Sequence, residues 1–216
     1  MKGLWIKDWR LFLQQKKFLV VVACILVVFA LSTLNLSFAL SYGVFMLTYV
    51  AVGTISYDDT GKGLSYIFTW PISRRQYVTE KYLFTSAVAL GSWLVLVLAG
   101  GVIQKIRGIT GGQEAWLLPA VMILWILLIF VCVTLPIQFR FGTEQGRLVM
   151  FLMLVFLFGA ASLAEKLIPQ TGMRLFLEKI SRIPHGVWGV VAILFLALIY
   201  RLSMYCSNRI MQKKEL

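Results

Sequence analysis

The side chains able to do chemistry are few and scattered: 9 Asp and Glu, a single histidine and 3 cysteines in 216 residues. No HExxH pair, no GxSxG turn and no cysteine or histidine cluster brings a base, a nucleophile or metal ligands together. Cys24, Cys132 and Cys206 lie in or beside apolar runs without CxxC spacing, and read as small hydrophobes. Gly61-Lys62-Gly63 is not a phosphate loop, since GxxxxGK[ST] is absent and glycine follows the lysine. No residue is assigned a catalytic, cofactor-binding or metal-binding role. The segment that stands out is Tyr57–Lys81, where Asp58 and Asp59 precede Leu64, Tyr66, Ile67, Phe68, Trp70, Pro71 and Arg74. Aromatic side chains on a short polar loop must be buried against something, so this segment reads as a contact surface.

The elements around it follow from composition. The chain is 60% hydrophobic and 14% charged, with a mean hydropathy of +0.84. Soluble domains carry about 45–50% apolar and about 25% charged residues. The excess excludes a soluble enzyme, a disordered tail and a disulfide-stapled secreted module. This is an integral membrane protein, all-α. The net charge of +12 is explained by basic residues flanking membrane spans, and nucleic acid is not an expected partner. The first 17 residues are amphipathic and basic, with no cleavage site close behind, so they do not read as a signal peptide.

A membrane-crossing helix takes roughly 20 apolar residues. Charge-free apolar runs at 18–34, 36–56, 82–103, 116–136, 148–164 and 186–200 predict six spans in one transmembrane domain covering residues 1–216. No stretch is long and polar enough to house a nucleotide-binding domain. With the N-terminus inside, fifteen Lys and Arg fall on inner segments and six on outer ones, which places both termini in the cytoplasm. Trp5, Trp9, Trp70, Trp116 and Trp188 end apolar runs and read as interfacial anchors, whereas the indoles of Trp93 and Trp125 lie mid-span and need partners. Ala87 and Gly91 offer a small-residue contact for close helix packing. No charge falls inside the six runs, which argues against an internal proton or sodium relay.

Three further segments are not simple spans. In residues 1–17, Leu4, Trp5, Trp9, Phe12 and Leu13 share one helical arc, with Lys7, Arg10 and Gln14 opposite. This predicts an interfacial amphipathic helix, although Asp8 interrupts the apolar arc. In the 57–81 loop, Asp58, Asp59 and Thr60 can cap a short helix that Pro71 stops, and Ser73 caps the next helix near Arg74. Tyr66, Phe68 and Trp70 are expected to be exposed, facing either the membrane interface or a cytoplasmic partner. In residues 165–185, Thr171 can cap an outer amphipathic helix that ends at Pro184, and His185 reads as an interface residue.

This layout resembles the permease subunits of type-2 ABC exporters, in which an N-terminal elbow helix precedes six spans. The loop carries the resemblance in Asp58 and Asp59, in Thr69-Trp70-Pro71-Ile72-Ser73-Arg74 and in Glu80-Lys81-Tyr82-Leu83, with Trp70 where leucine is more usual. Small permeases of this length are similar to those of phenol-soluble-modulin exporters and other peptide exporters of Gram-positive bacteria. The resemblance implies an elbow carrying Trp5, Trp9, Arg10 and Phe12, and an ATPase-coupling segment from Asp58 to Arg74. It implies a separate ABC ATP-binding subunit that holds the ATP and magnesium, a second permease copy or paralogue, membrane lipid and an amphipathic peptide substrate. Export of small hydrophobic drugs, a non-transport sensor or interaction protein, and an intramembrane enzyme are the competing readings.

Overall fold

The computed structural model describes residues 2–31, 36–59, 63–106, 113–167 and 185–214. Among them the chain is helical and has no strand: α1 (Lys2–Gln14), α2 (Lys16–Leu31), α3 (Leu36–Asp59), α4 (Gly63–Ile67), α5 (Arg74–Ile106), α6 (Gln113–Leu167) and α7 (His185–Lys213). Over its described residues each apolar run lies on a helix, with the runs at 116–136 and 148–164 sharing α6. Four stretches, Ala39–Asp59, Arg74–Ile103, Pro119–Gly142 and Val191–Lys213, are long and apolar enough to cross a membrane. The pair Gly3–Gln14 and Lys16–Phe29, bent by 61°, makes a fifth if counted as one span. The helix expected over 165–185 lies outside the described residues, apart from 165–167 at the end of α6 and His185 at the start of α7.

Two helices run well past their apolar runs. α5 begins at Arg74, as the Ser73 cap predicts, and α7 continues beyond its apolar run to Lys213. On these additional turns Tyr77, Glu80, Lys81, Ser203 and Ser207 are buried, while Arg75, Arg201 and Arg209 are exposed. Ser73 opens α5 with a reciprocal cap: its hydroxyl accepts from Gln76 N–H at 3.2 Å, and its own N–H donates to Gln76 Oε1 at 3.0 Å.

α3 is the hub, packing against α1, α2, α4, α5 and α6. Its span is 56% buried, against 11% for α5 and 6% for α7, so those two helices turn most of their surface outward. Close approach to the hub is made at Gly43, where an added Cβ would sit 2.8 Å from Leu96 and 2.9 Å from Leu26. Ala87 and Gly91 do not serve this purpose, since a Cβ at Gly91 meets nothing within 4 Å. α6 is broken at Gly142, whose φ of 75° is a left-handed conformation that a Cβ disfavours, and a side chain there would also meet Asp59 Oδ2 at 2.7 Å.

Polar groups fasten the middle of the bundle. Pro136 has no N–H, which leaves the carbonyl of Cys132 without its helical donor, and the Ser203 hydroxyl from α7 donates to that carbonyl instead. With its proton committed, Ser203 accepts from the Tyr82 hydroxyl at 2.6 Å, and Tyr82 in turn accepts from Ser207 at 2.8 Å. One missing N–H thus organises a hydrogen-bond chain across α5, α6 and α7. The indole of Trp93 finds its partner in the carbonyl of Ala120, 2.7 Å away on α6.

Tyr82→Phe leaves Ser207 buried without its partner and is expected to cost about 1–3 kcal/mol, read as a lower unfolding midpoint in detergent. Because Ser203→Ala breaks the same chain, the double variant is expected to cost clearly less than the sum of the two. Gly142→Ala forces a left-handed alanine against Asp59, and a loss of roughly 1–3 kcal/mol is expected in the same measurement.

Candidate functional site

The last turn of α3 places Asp58 and Asp59 at a helix C-terminus, where the macrodipole opposes negative charge, and that turn holds no basic residue of its own. Tertiary partners supply the compensation. Lys81, fully buried on α5, pairs with Asp58 Oδ2 at 2.8 Å and also with Asp8 Oδ2 of α1. Lys7 bridges the two carboxylates, 2.6 Å from Asp58 Oδ1 and 3.3 Å from Asp8 Oδ1. The Tyr77 hydroxyl donates to Asp58 Oδ2 at 2.9 Å, and Lys81 also donates to the Thr54 hydroxyl at 3.3 Å. Lys214, beyond the end of α7, pairs with Asp59 at 3.2 Å. Glu80 is buried beside this group, and among the described residues its carboxyl oxygens have no hydrogen-bond partner.

Asp58 therefore does not cap the short helix that follows it, because α3 runs through it and the ammonium groups of Lys7 and Lys81 hold its carboxylate. Asp8 likewise explains its own intrusion into the apolar arc. The helix buries Leu4, Asp8 and Phe12, one turn apart, while Trp5, Trp9 and Leu13 point outward. The single arc expected from the sequence is therefore split into a buried stripe and an exposed one. Trp5 stays in contact with α5, its ring edge-on to Phe84 at 5.6 Å, and Trp9 stacks on Phe12 at 5.8 Å. Arg10 is exposed. An open apolar cleft of about 410 Å³ lies between this helix and α5, lined by Trp5, Trp9, Phe12, Phe84, Gly91 and Leu96 among others.

Between Asp58 and Tyr77 the chain makes one short helix and a turn. α4 points Ile67 into the main core, where it joins Leu4, Ile55, Tyr77, Leu135 and Met211, with Leu64, Phe68 and Ile72 packed at its margin. Thr69 closes the helix by donating its hydroxyl to the Tyr66 carbonyl at 2.7 Å, and Pro71 follows. Of the three aromatic residues expected at the surface, Tyr66 and Trp70 are there, 66% and 44% exposed and edge-to-face at 6.3 Å. Phe68 is not: it is half-buried, with its ring on Tyr77 at 5.8 Å and the Arg74 guanidinium 5.9 Å above it. Arg74 also donates to the carbonyls of Met211 at 3.1 Å and Gln212 at 2.8 Å, capping the end of α7. The segment from Asp58 to Arg74 thus has an outer surface of Tyr66, Trp70 and Pro71 and an inner surface fixed to α1, α3, α5 and α7.

Reading the sequence missed Lys7, Asp8, Tyr77, Glu80 and Lys81 as parts of one site. The signal was present in Asp8, a charge on an apolar arc, but its partner Lys81 lies 73 residues away, and nothing local links the two. Among the described residues no group of His, Cys, Asp or Glu could hold a metal ion. What this arrangement provides is a mechanical connection: buried contacts tie the outer surface to α1, α3, α5 and α7.

Removing one member of a buried ion pair strands the other charge and costs about 3–5 kcal/mol. Lys81→Met is accordingly expected to lower the unfolding midpoint sharply, as is Asp8→Asn. A double-mutant cycle between the two, read by denaturation in detergent, is expected to give a coupling of about 1–3 kcal/mol.

Compared with known proteins, residues 3–212 match the family model described as ABC-2 family transporter protein, a match that runs from the first turns of α1 to the last turn of α7. No curated protein and no solved structure matches the chain. The family match covers every helix described above and agrees with a multi-pass apolar bundle that has one fastened polar end. The chain belongs to the ABC-2 transporter family, as a membrane subunit of an ABC transporter.

Proposed function

We propose that this chain is the permease of an ATP-driven exporter, with α1 as its interfacial elbow and α4 with the turn after it as its coupling segment. A separate ATP-binding subunit carries the ATP and magnesium and docks on Tyr66, Trp70 and Pro71. The observation that carries this reading is the two-sidedness of the 63–74 segment. Two large aromatic side chains face outward beside a proline, while Ile67, Phe68 and Arg74 hold the same short segment to the bundle core. Exposed aromatic residues on a rigid base are the usual anchors of a protein interface. In this reading both termini are cytoplasmic, six spans form the domain, and the outward faces of α5 and α7 meet lipid or a second permease copy.

ATP binding would draw the two ATPase subunits together and push on the coupling segment. The push reaches α3 and α5 through Asp58, Tyr77 and Lys81, α1 through Asp8, and α7 through Arg74. An amphipathic peptide, such as a phenol-soluble modulin or an antimicrobial peptide, is the substrate class we favour, because a helix with one apolar face can enter from the membrane or its inner surface. The apolar cleft of about 410 Å³ beside α1 supports a second reading, since it has the size of a small-molecule site and would suit a hydrophobic drug.

Tyr66→Ala/Trp70→Ala, expressed together with the ATP-binding subunit, is expected to weaken copurification by about 30-fold, the loss of an interface hot spot. The isolated permease is expected to keep its unfolding midpoint, because both side chains are on the surface. Undiminished copurification rules out this docking surface and favours the membrane interface for these aromatic side chains. In proteoliposomes of the complex, labelled amphipathic helices are expected to be exported in preference to a small hydrophobic dye, and the reverse order selects the drug reading.

A further inference from the structure

The ends of α6's first half and of α7 enclose a second cleft, of about 460 Å³, lined by Phe139, Arg140, Arg209, Ile210, Lys213 and Lys214. Four of its six lining residues are cations. Lys214 is committed to Asp59 at 3.2 Å. Among the described residues no carboxylate pairs with Arg140, Arg209 or Lys213. The carbonyls of Met211 and Gln212 at the end of α7 are taken by Arg74 from another element. Three like charges held around one concave surface repel each other unless an anion sits between them.

The shape of the surroundings narrows the anion. On α7 the residues Leu194, Leu198, Leu202, Tyr205 and Arg209 fall within one face of the helix, spaced by four, four, three and four. The four apolar members are each more than half exposed, so the stripe is an open apolar track that ends on a cation. The Arg209 guanidinium lies over the Tyr205 ring at 5.2 Å, and Arg140 lies over the exposed Phe141 at 5.2 Å. Cations poised on aromatic rings, at the polar end of a hydrocarbon-facing stripe, fit a molecule with an acyl chain below and a negative charge above. Basic pockets between membrane helices bind acidic headgroups in this way. We propose that this cleft binds the phosphate headgroup of an anionic phospholipid, whose acyl chain lies along α7.

Native mass spectrometry of the full chain, released from micelles doped with phosphatidylglycerol or with phosphatidylcholine, tests this. Phosphatidylglycerol is expected to be retained in preference. In Arg140→Gln/Arg209→Gln/Lys213→Gln the preference is expected to fall by about fivefold for each cation removed. The charge-keeping Arg140→Lys/Arg209→Lys variant is expected to hold the preference, as is Lys16→Gln/Arg75→Gln, which removes charge elsewhere on the surface. Equal retention of the two lipids overturns the proposal, and so does an equal fall in the Lys16→Gln/Arg75→Gln control. Displacement of the lipid by millimolar inorganic phosphate overturns it in favour of a free-phosphate site. If the triple variant keeps its lipid preference but loses the ATP-binding subunit, the cleft belongs to an acidic protein surface, and the lipid assignment fails.

Discussion

A fully buried lysine ammonium is the constraint on which the functional end of this protein depends. Taking Lys81 and its carboxylates out of water costs several kcal/mol for each ion, so the group is tolerated only with close partners. Those partners come from different elements, Asp8 from α1 and Asp58 from the end of α3, with Lys7 closing the group between them. None of the three helices can withdraw without stranding a charge. A salt bridge of this kind adds little net stability, but it makes the relative position of its helices an all-or-none matter. That is the property a force-transmitting joint requires.

The rest of the bundle builds on that joint by satisfying polar groups that helices leave behind. Pro136 frees a carbonyl, and Ser203, Tyr82 and Ser207 carry the resulting bond chain across three helices. Arg74 closes the end of α7 while its guanidinium rests on Phe68, just after α4. The short 63–74 segment is thus held by apolar burial at Ile67, by aromatic contact at Phe68 and by hydrogen bonds at Arg74. Its outward side is Tyr66 and Trp70, the surface proposed above for the ATP-binding subunit that membership in the family implies. The same end of the bundle carries Arg140, Arg209 and Lys213, which no carboxylate among the described residues pairs, so the proposed protein and lipid contacts would share one polar margin.

Much of this architecture can be read from periodicity and composition. Apolar runs place the helices, and Ser73 announces the start of α5. What sequence could not reach depends on long-range partners. Asp8 on an apolar arc is an anomaly until Lys81 lies beside it, and Asp58 at a helix C-terminus is a violated local rule until Lys7 and Lys81 compensate it. Phe68 was expected outside with Tyr66 and Trp70, because spacing on a five-residue helix does not say which side Tyr77 and Arg74 will cover. The small-residue contact was expected at Ala87 and Gly91. It occurs at Gly43 because closeness is decided by which helix becomes the hub.

The proposed force path requires α1 and α4 to move as one body. Spin labels at Arg10 on α1 and Ser65 on α4, both exposed, report on it directly once Cys24, Cys132 and Cys206 have been replaced. Pulsed electron–electron resonance on the reconstituted complex gives the separation of the two labels with and without ATP. A single body gives the same narrow distance distribution in both states, and a broadened one in Lys81→Met. A shift in that distance on adding ATP, with Lys81 intact, contradicts the claim.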